Sequence, residues 1–201
     1  MNEKGKLIVV SGPSGAGKTT VITRVIEGRN DACFSTSVTS RSPRTGEVEG
    51  KDYFFITRER FLEMIENDEL LEHACYVENL YGTPRSFVEQ KLEAGQNVFL
   101  DIEVQGARQV RKKMPEAIMI FLIPPSLGEL KERLIGRGTD SESVIAERLQ
   151  RAREEYAEAD FYDYIVVNDA VQNAADEINA ILLADKCSFP NRRSMLYEAE
   201  T

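Results

Sequence analysis

Gly12-Pro13-Ser14-Gly15-Ala16-Gly17-Lys18-Thr19 lies between a short apolar run, Leu7-Ile8-Val9-Val10, and a segment that carries Val21, Ile22, Val25 and Ile26 on one stripe. The run reads as a buried strand and the segment as an amphipathic helix. A Gly-rich turn ending in Lys-Thr between such elements is the pattern of a phosphate-binding loop. Its glycines let the backbone curl so that N–H groups point inward at phosphate oxygens. The helix N-terminus adds partial positive charge. Lys18 is placed to reach β- and γ-phosphates, and the Thr19 hydroxyl suits Mg²⁺. A plain connecting turn would not need all eight positions, so the chain is expected to bind a nucleoside triphosphate.

Outward from this loop, strand and helix patterns alternate, which predicts an α/β fold with a largely parallel sheet flanked by helices. Val98-Phe99-Leu100 reads as a buried strand ending at Asp101, and Ile118–Ile123 as another, stopped by Pro124-Pro125. Ser126 is a suitable N-cap for a helix with Leu127, Leu130 and Leu134. Tyr164-Ile165-Val166-Val167 is a third buried strand, ending at Asn168-Asp169, and a closing helix carries Val171, Ala175, Ile178 and Leu182. Two stretches break the rhythm. Residues 37–83 are polar and Gly-punctuated, with β-like pieces such as Tyr53-Phe54-Phe55-Ile56, and read as an insertion with a small sheet and a helix near 58–67. Residues 133–156 are Arg-rich and helical, with Gly136-Arg137-Gly138-Thr139 as a hinge or helix stop. The expected division is a core of 1–36, 84–132 and 157–187, the insertion 37–83, a lid 133–156 and a tail 188–201 without fixed structure. A core with two flaps suggests that substrates are enclosed.

The 201 residues and 42% hydrophobic content fit one soluble domain with insertions. No stretch resembles a membrane span, and the N-terminal apolar run is too short for a signal peptide, so a cytoplasmic protein is expected. Cys33, Cys75 and Cys187 are odd in number and far apart, which argues against a disulfide framework or a zinc site and for buried or half-buried thiols. His73, the single histidine, has no visible partner and reads as a packing or boundary residue. A net charge of −9 argues against a general nucleic-acid binder. The cations are 16 Arg and 9 Lys, a bias that suits focused anion sites as well as ordinary surface ion pairs.

A second segment is as informative: Thr39-Ser40-Arg41-Ser42-Pro43-Arg44-Thr45-Gly46-Glu47-Val48-Glu49-Gly50-Lys51-Asp52-Tyr53-Phe54-Phe55-Ile56. Two arginines three apart, beside hydroxyls and a tyrosine, fit either a phosphate clamp or a solvated basic loop. Position by position, this stretch resembles the signature of the guanylate kinase family. Together with Gly12–Thr20, Tyr81-Gly82-Thr83, Leu100-Asp101-Ile102-Glu103-Val104-Gln105-Gly106, Gly136–Thr139 and Ile165-Val166-Val167-Asn168-Asp169, the resemblance runs in order from about residue 5 to 186.

The resemblance implies ATP- and Mg²⁺-dependent phosphorylation of GMP and dGMP to the diphosphate. It implies that Gly12, Pro13, Ser14, Gly15, Ala16, Gly17, Lys18, Thr19 and Thr20 hold ATP, with Asn168 near the adenine. It assigns Ser37, Arg41, Arg44, Tyr53 and Tyr81 to the GMP phosphate and its surroundings, and Glu72 and Thr83 to the guanine. Asp101 and Glu103 lie near the metal and the GMP site, with Thr19 and, through water, Asp101 holding Mg²⁺. Arg133, Arg137 and Arg148 close over the transferring group, whereas Arg151 fits either that role or a surface ion pair. The chemistry is coherent: guanine offers N1–H and N2–H side by side to one carboxylate. Adenine would leave Glu72 unpaired, a mismatch worth on the order of 10⁴-fold. A non-catalytic phosphopeptide-binding relative, a ribose 1,5-bisphosphate kinase and an adenylate kinase are the rival readings. The intact loop disfavours the first, the base-reading pair the second, and the Arg-Tyr signature the third. Small-molecule substrates, no nucleic acid or membrane, and either a monomer or a homodimer complete the expectation.

Overall fold

In a computed structural model, which describes residues 4–76, 78–136, 138, 140–193 and 195–198, every residue of β1 (Leu7–Ser11) is buried. Both faces of this strand are covered. Ile8 and Val10 pack with Val21, Ile22 and Val25 of α1 (Lys18–Glu27), while Leu7 and Val9 belong to a second cluster on the other face. That is why β1 reads as a continuous apolar run rather than an alternating one.

The chain continues through β2 (Ala32–Phe34) into a separate small sheet. This sheet is made of β3 (Ser37–Thr39), β4 (Tyr53–Phe55), β5 (Leu70–Tyr76) and β6 (Asn79–Pro84), with α2 (Arg58–Glu66) after β4. Its strand order is β4-β3-β6-β5, so β5 is an edge. Val38, Phe61, Leu70 and Leu80 form its own core. Thr57 caps α2 by accepting from the Arg60 amide. Residue 84 returns the chain to α3 (Arg85–Glu93), β7 (Asn97–Asp101), α4 (Val104–Lys113) and β8 (Ile118–Ile123). The main sheet is parallel throughout, in the order β2-β7-β1-β8-β9, where β9 is Tyr164–Val167.

Between β8 and β9 stand α5 (Leu127–Gly136) and α6 (Glu142–Ala157), which share a small cluster of Leu130, Leu134, Ile145 and Ala152. The Ser126 hydroxyl accepts from the Glu129 amide, as expected of a cap. α5 stops at Gly136, close to the expected hinge; Arg137 and Thr139 of that motif lie outside the described residues. α7 (Val171–Lys186) closes the domain against α1, burying Ala174, Ala175, Ile178 and Leu182.

Several expectations need correction. β9 is not a buried strand but an edge: Ile165 is 62% exposed, and only Val166 is buried. Val171 is exposed at the first turn of α7 rather than part of its core stripe. Cys33 is half-buried, but Cys75 and Cys187 are exposed; all three are free. The tail contains two helical turns, α8 (Phe189–Arg192) and α9 (Met195–Glu198), and Asn191 anchors the first by donating to the Asp185 carbonyl at 2.7 Å. β2 is only three residues long and carries no periodic signal.

Candidate active site

The parallel register sets the geometry. Val10 pairs with Asp101 of β7, and Ser11 with Phe121 of β8, so the loop leaves the sheet beside the Asp101 carboxylate. Ligand sites of parallel sheets form at these carboxyl ends. Gly12 has φ +144°, and a Cβ there would stand 2.0 Å from the Leu122 carbonyl oxygen, so no larger residue fits. Gly17, at φ +91°, leaves the space that Asn168 Nδ2 occupies. Asn168 is 4% exposed and donates from Nδ2 to the Ala16 carbonyl at 2.7 Å. Its visible task is therefore to brace the loop, a role the sequence did not suggest. The Lys18 ammonium folds over the loop and donates to the Gly12 carbonyl at 2.7 Å. Thr19 Oγ1 donates to Asp101 Oδ2 at 2.6 Å, while Thr20 follows on the exposed side of α1.

Two lid arginines reach the same place. Arg148 donates from Nη1 to Ser14 Oγ at 3.0 Å and pairs with Asp140. Arg133 donates from Nη2 to the Asn168 carbonyl at 2.9 Å and pairs with Glu129. Arg151 bonds Glu103 at 2.7 Å and pairs with Glu155. Arg137 lies outside the described residues.

In the small sheet, Ser37 pairs with Tyr53 and Thr39 with Tyr81, which brings the Tyr53 and Tyr81 rings to 6.0 Å. The Arg41 guanidinium lies 5.4 Å from the Tyr53 ring centre and is held as a fork by Glu47, at 2.8 and 2.9 Å. Glu47 also accepts from the Arg44 amide at 2.7 Å, so one carboxylate shapes the whole turn between the two arginines. The Arg41 bond, and then the Arg44 amide, pull the Glu47 carboxyl down to about 2; the Arg41 guanidinium is correspondingly held above its ordinary value. Glu47 was not singled out from sequence. Its signal was an acid inside an arginine-rich anion motif, spaced to fold back on the turn.

Glu72 on β5 and Thr83 on β6 are register partners, and Thr83 Oγ1 donates to Glu72 Oε1 at 2.7 Å. Glu72 is 5% exposed and Thr83 fully buried. Burial pushes the Glu72 carboxyl up to about 7; the Thr83 bond opposes this and the Glu103 charge adds to it. Glu103 is the N-cap residue of α4, the helix that follows Asp101, so the pair sits against the same corner as the loop.

A parallel sheet whose central strand ends in a Gly-rich loop, with an acid at the end of the adjoining strand, defines the P-loop class of nucleotide-binding α/β proteins. The family model described as Guanylate kinase matches residues 4–185, and the chain belongs to the guanylate kinase family. Relatives include guanylate kinases of Lactococcus lactis, 54% identical over 185 residues, and of Bacillus subtilis, 54% identical over 187 residues. Each alignment covers 92% of this chain, with 90% and 91% of the respective relative. The crystal structure of guanylate kinase from Anaplasma phagocytophilum superposes with a TM-score of 0.71 at 35% identity, over 92% of this chain and 88% of that one.

Proposed function

We propose that the protein transfers the γ-phosphoryl group of ATP to GMP and dGMP, giving ADP and the nucleoside diphosphate. The observation that carries this reading is the buried Glu72–Thr83 pair, a carboxylate and a hydroxyl held 2.7 Å apart. An ionised Glu72 accepts N1–H and N2–H of guanine; the one Thr83 hydroxyl proton goes to Glu72 Oε1 in the free protein, so a bond to O6 requires that hydroxyl to turn from the carboxylate. A buried acid with no such ligand would be a cost without return.

The acceptor needs no general base, because its phosphate is largely ionised near neutral pH. The obstacle is repulsion: two like unit charges 4 Å apart cost about 4 kcal/mol at a near-surface effective dielectric. Catalysis is therefore charge stabilisation and positioning. Lys18 and the loop amides hold the donor phosphates. Arg41 and Arg44, with Ser37, Tyr53 and Tyr81, hold the acceptor phosphate, which shares or displaces Glu47 at the Arg41 fork. Arg133 and Arg148 approach from the lid, and by its motif Arg137 joins them. Asp101 and Glu103 line the passage between the two nucleotides.

Thr19 and Asp101 are the residues that would hold Mg²⁺, Asp101 through water. Their oxygens are hard donors already 2.6 Å apart. Among the described residues no three His, Cys, Asp or Glu gather as a metal cluster, so the other ligands must be phosphate oxygens and water, as suits Mg²⁺. When bound, the ion neutralises charge on the β- and γ-phosphates. Among the described residues no helix is long and apolar enough to cross a membrane; the cytoplasm is the proposed site of action.

The test is ADP formation from ATP and Mg²⁺ with GMP, dGMP, AMP, UMP or ribose 1,5-bisphosphate offered separately. Turnover with GMP and dGMP alone is expected. Turnover with the ribose compound would discard the guanine argument, and binding without turnover would point to a phosphopeptide-binding relative.

A further inference from the structure

The strand that carries Glu72 is the open edge of the small sheet, yet that edge is not bare. It is covered by α4 of the core through one helix face, Gly106, Gln109 and Lys113, spaced i, i+3 and i+7. Gln109 lies against His73, the residue next to Glu72. Its Oε1 accepts from the His73 amide at 3.2 Å, and its Nε2 donates to the His73 carbonyl at 3.0 Å. The side-chain amide thus takes the place of a neighbouring strand. Lys113 donates to the Leu70 carbonyl at 2.7 Å on the other side of Glu72.

Between these anchors the register of β5 against β6 shifts from Leu70 to Glu72. Such irregularities re-aim a side chain. Here the re-aimed carboxylate runs into α4 at its third residue. A Cβ built on Gly106 would stand 2.8 Å from Glu72 Oε2, nearer than real Cβ contacts allow. The neighbour is the working end of the carboxylate, and Thr83 holds its other oxygen, so the group has little freedom to yield.

We propose that Gly106 and Gln109 are positioning residues for guanine recognition: Gly106 leaves the space in which Glu72 Oε2 stands, and Gln109 fixes the backbone from which Glu72 projects. This rests on the reading of Glu72 as the guanine acceptor. It makes base recognition a joint product of the insertion and the core helix that begins beside Asp101. Neither residue touches the nucleotide; both act through Glu72.

The test compares GMP with IMP, which keeps N1–H and O6 and lacks the 2-amino group, for wild type, Gly106→Ala, Gln109→Ala and Glu72→Gln. Alanine is a better helix former than glycine, so Gly106→Ala is expected to keep α4 and its melting temperature. A displacement of the carboxylate near 1 Å is expected to lower kcat/KM for GMP on the order of 10²-fold. IMP forfeits fewer bonds, so the GMP-to-IMP ratio compresses, while KM for ATP stays unchanged. Gln109→Ala should move the ratio in the same direction by a smaller factor, and it decides the matter if Gly106→Ala does not fold. A collapsed ratio in Glu72→Gln with an intact ratio in both α4 variants would overturn the proposal and leave the guanine reading standing. An intact ratio in Glu72→Gln would overturn that reading, and the proposal with it.

Discussion

The donor and acceptor ends of this site are built from different materials. At the proposed donor end, the phosphate-binding loop is eight consecutive residues, and most of its work falls to the backbone. The loop is fixed by glycine geometry at Gly12 and Gly17, by a strand buried on both faces, and by one brace from Asn168. At the proposed acceptor end, the groups are side chains drawn from β3, β4, β5, β6 and the turn after β3, on a small sheet with its own core. Two of them are held by other side chains: Arg41 by Glu47, and Glu72 by Thr83. A backbone cradle recognises what every triphosphate shares. A side-chain pocket can distinguish one base from another, and it becomes sensitive to the partners that hold it.

The largest effect should fall at the donor end. Lys18→Ala removes the ammonium folded over the loop, which among the described residues bonds the Gly12 and Pro13 carbonyls. Turnover is expected to fall on the order of 10³-fold with an unchanged melting temperature. Near-normal turnover in a folded variant would break the comparison, because the donor end would then not depend on this cation.

Arg41 tests the acceptor end. Its planar fork spans two Glu47 oxygens, a geometry lysine cannot copy. Arg41→Lys is therefore expected to raise KM for GMP by about tenfold or more while KM for ATP holds. Equal changes in both constants would mean that the two ends are not separable.

That division also decides what was legible. The loop and the strands at 7–10, 98–100 and 118–123 were readable because their signals are contiguous: apolar runs, glycines and a cap. β9 was legible as a strand but not as an edge, since four apolar residues look alike whether one face or none is open. At the acceptor end Arg41, Arg44, Glu72 and Thr83 emerged through resemblance to a family signature, not from spacing alone. The residues that hold them did not emerge. Glu47 looks like one acid among 34, and Gln109 meets His73 across 36 positions. Contacts between separate elements leave no local period.

Glu72 sharpens the comparison with pH. Burial holds its carboxyl near 7 in the folded chain against an ordinary 4.5. The guanine donors need the ionised form, so KM for GMP should fall as pH rises from about 6 to 8, beyond the change due to the phosphate, whose second pKa is about 6. Stability of the free protein runs the other way. The contribution of Glu72 to folding is full below 4.5 and is lost as pH rises through 7, because the folded chain keeps a proton that the unfolded chain releases. Glu72→Gln should abolish both dependences, the first read from initial rates and the second from melting temperatures. It should also weaken the preference for GMP over AMP. A KM profile identical to wild type would remove Glu72 from the binding equilibrium.

The smallest effect is expected where the two ends meet at the surface. Arg151 on the lid helix bonds Glu103 at 2.7 Å, and side-chain exposures of 57% and 52% leave that pair in water. Its second partner, Glu155, is more enclosed but lies on the same helix, one turn away. Exposed pairs contribute about 0–1 kcal/mol, so Arg151→Ala should change kcat less than about fivefold and stability barely at all. Glu103 nevertheless stands at the N-cap position of the helix beside Asp101, so the same pair links that helix to α6. A fall in kcat well beyond that bound, with KM for both nucleotides unchanged, would mean that this link helps set lid closure. Recovery of wild-type kcat on adding salt to Arg151→Ala would be inconsistent with such a link, since salt screens charge pairs and cannot restore one.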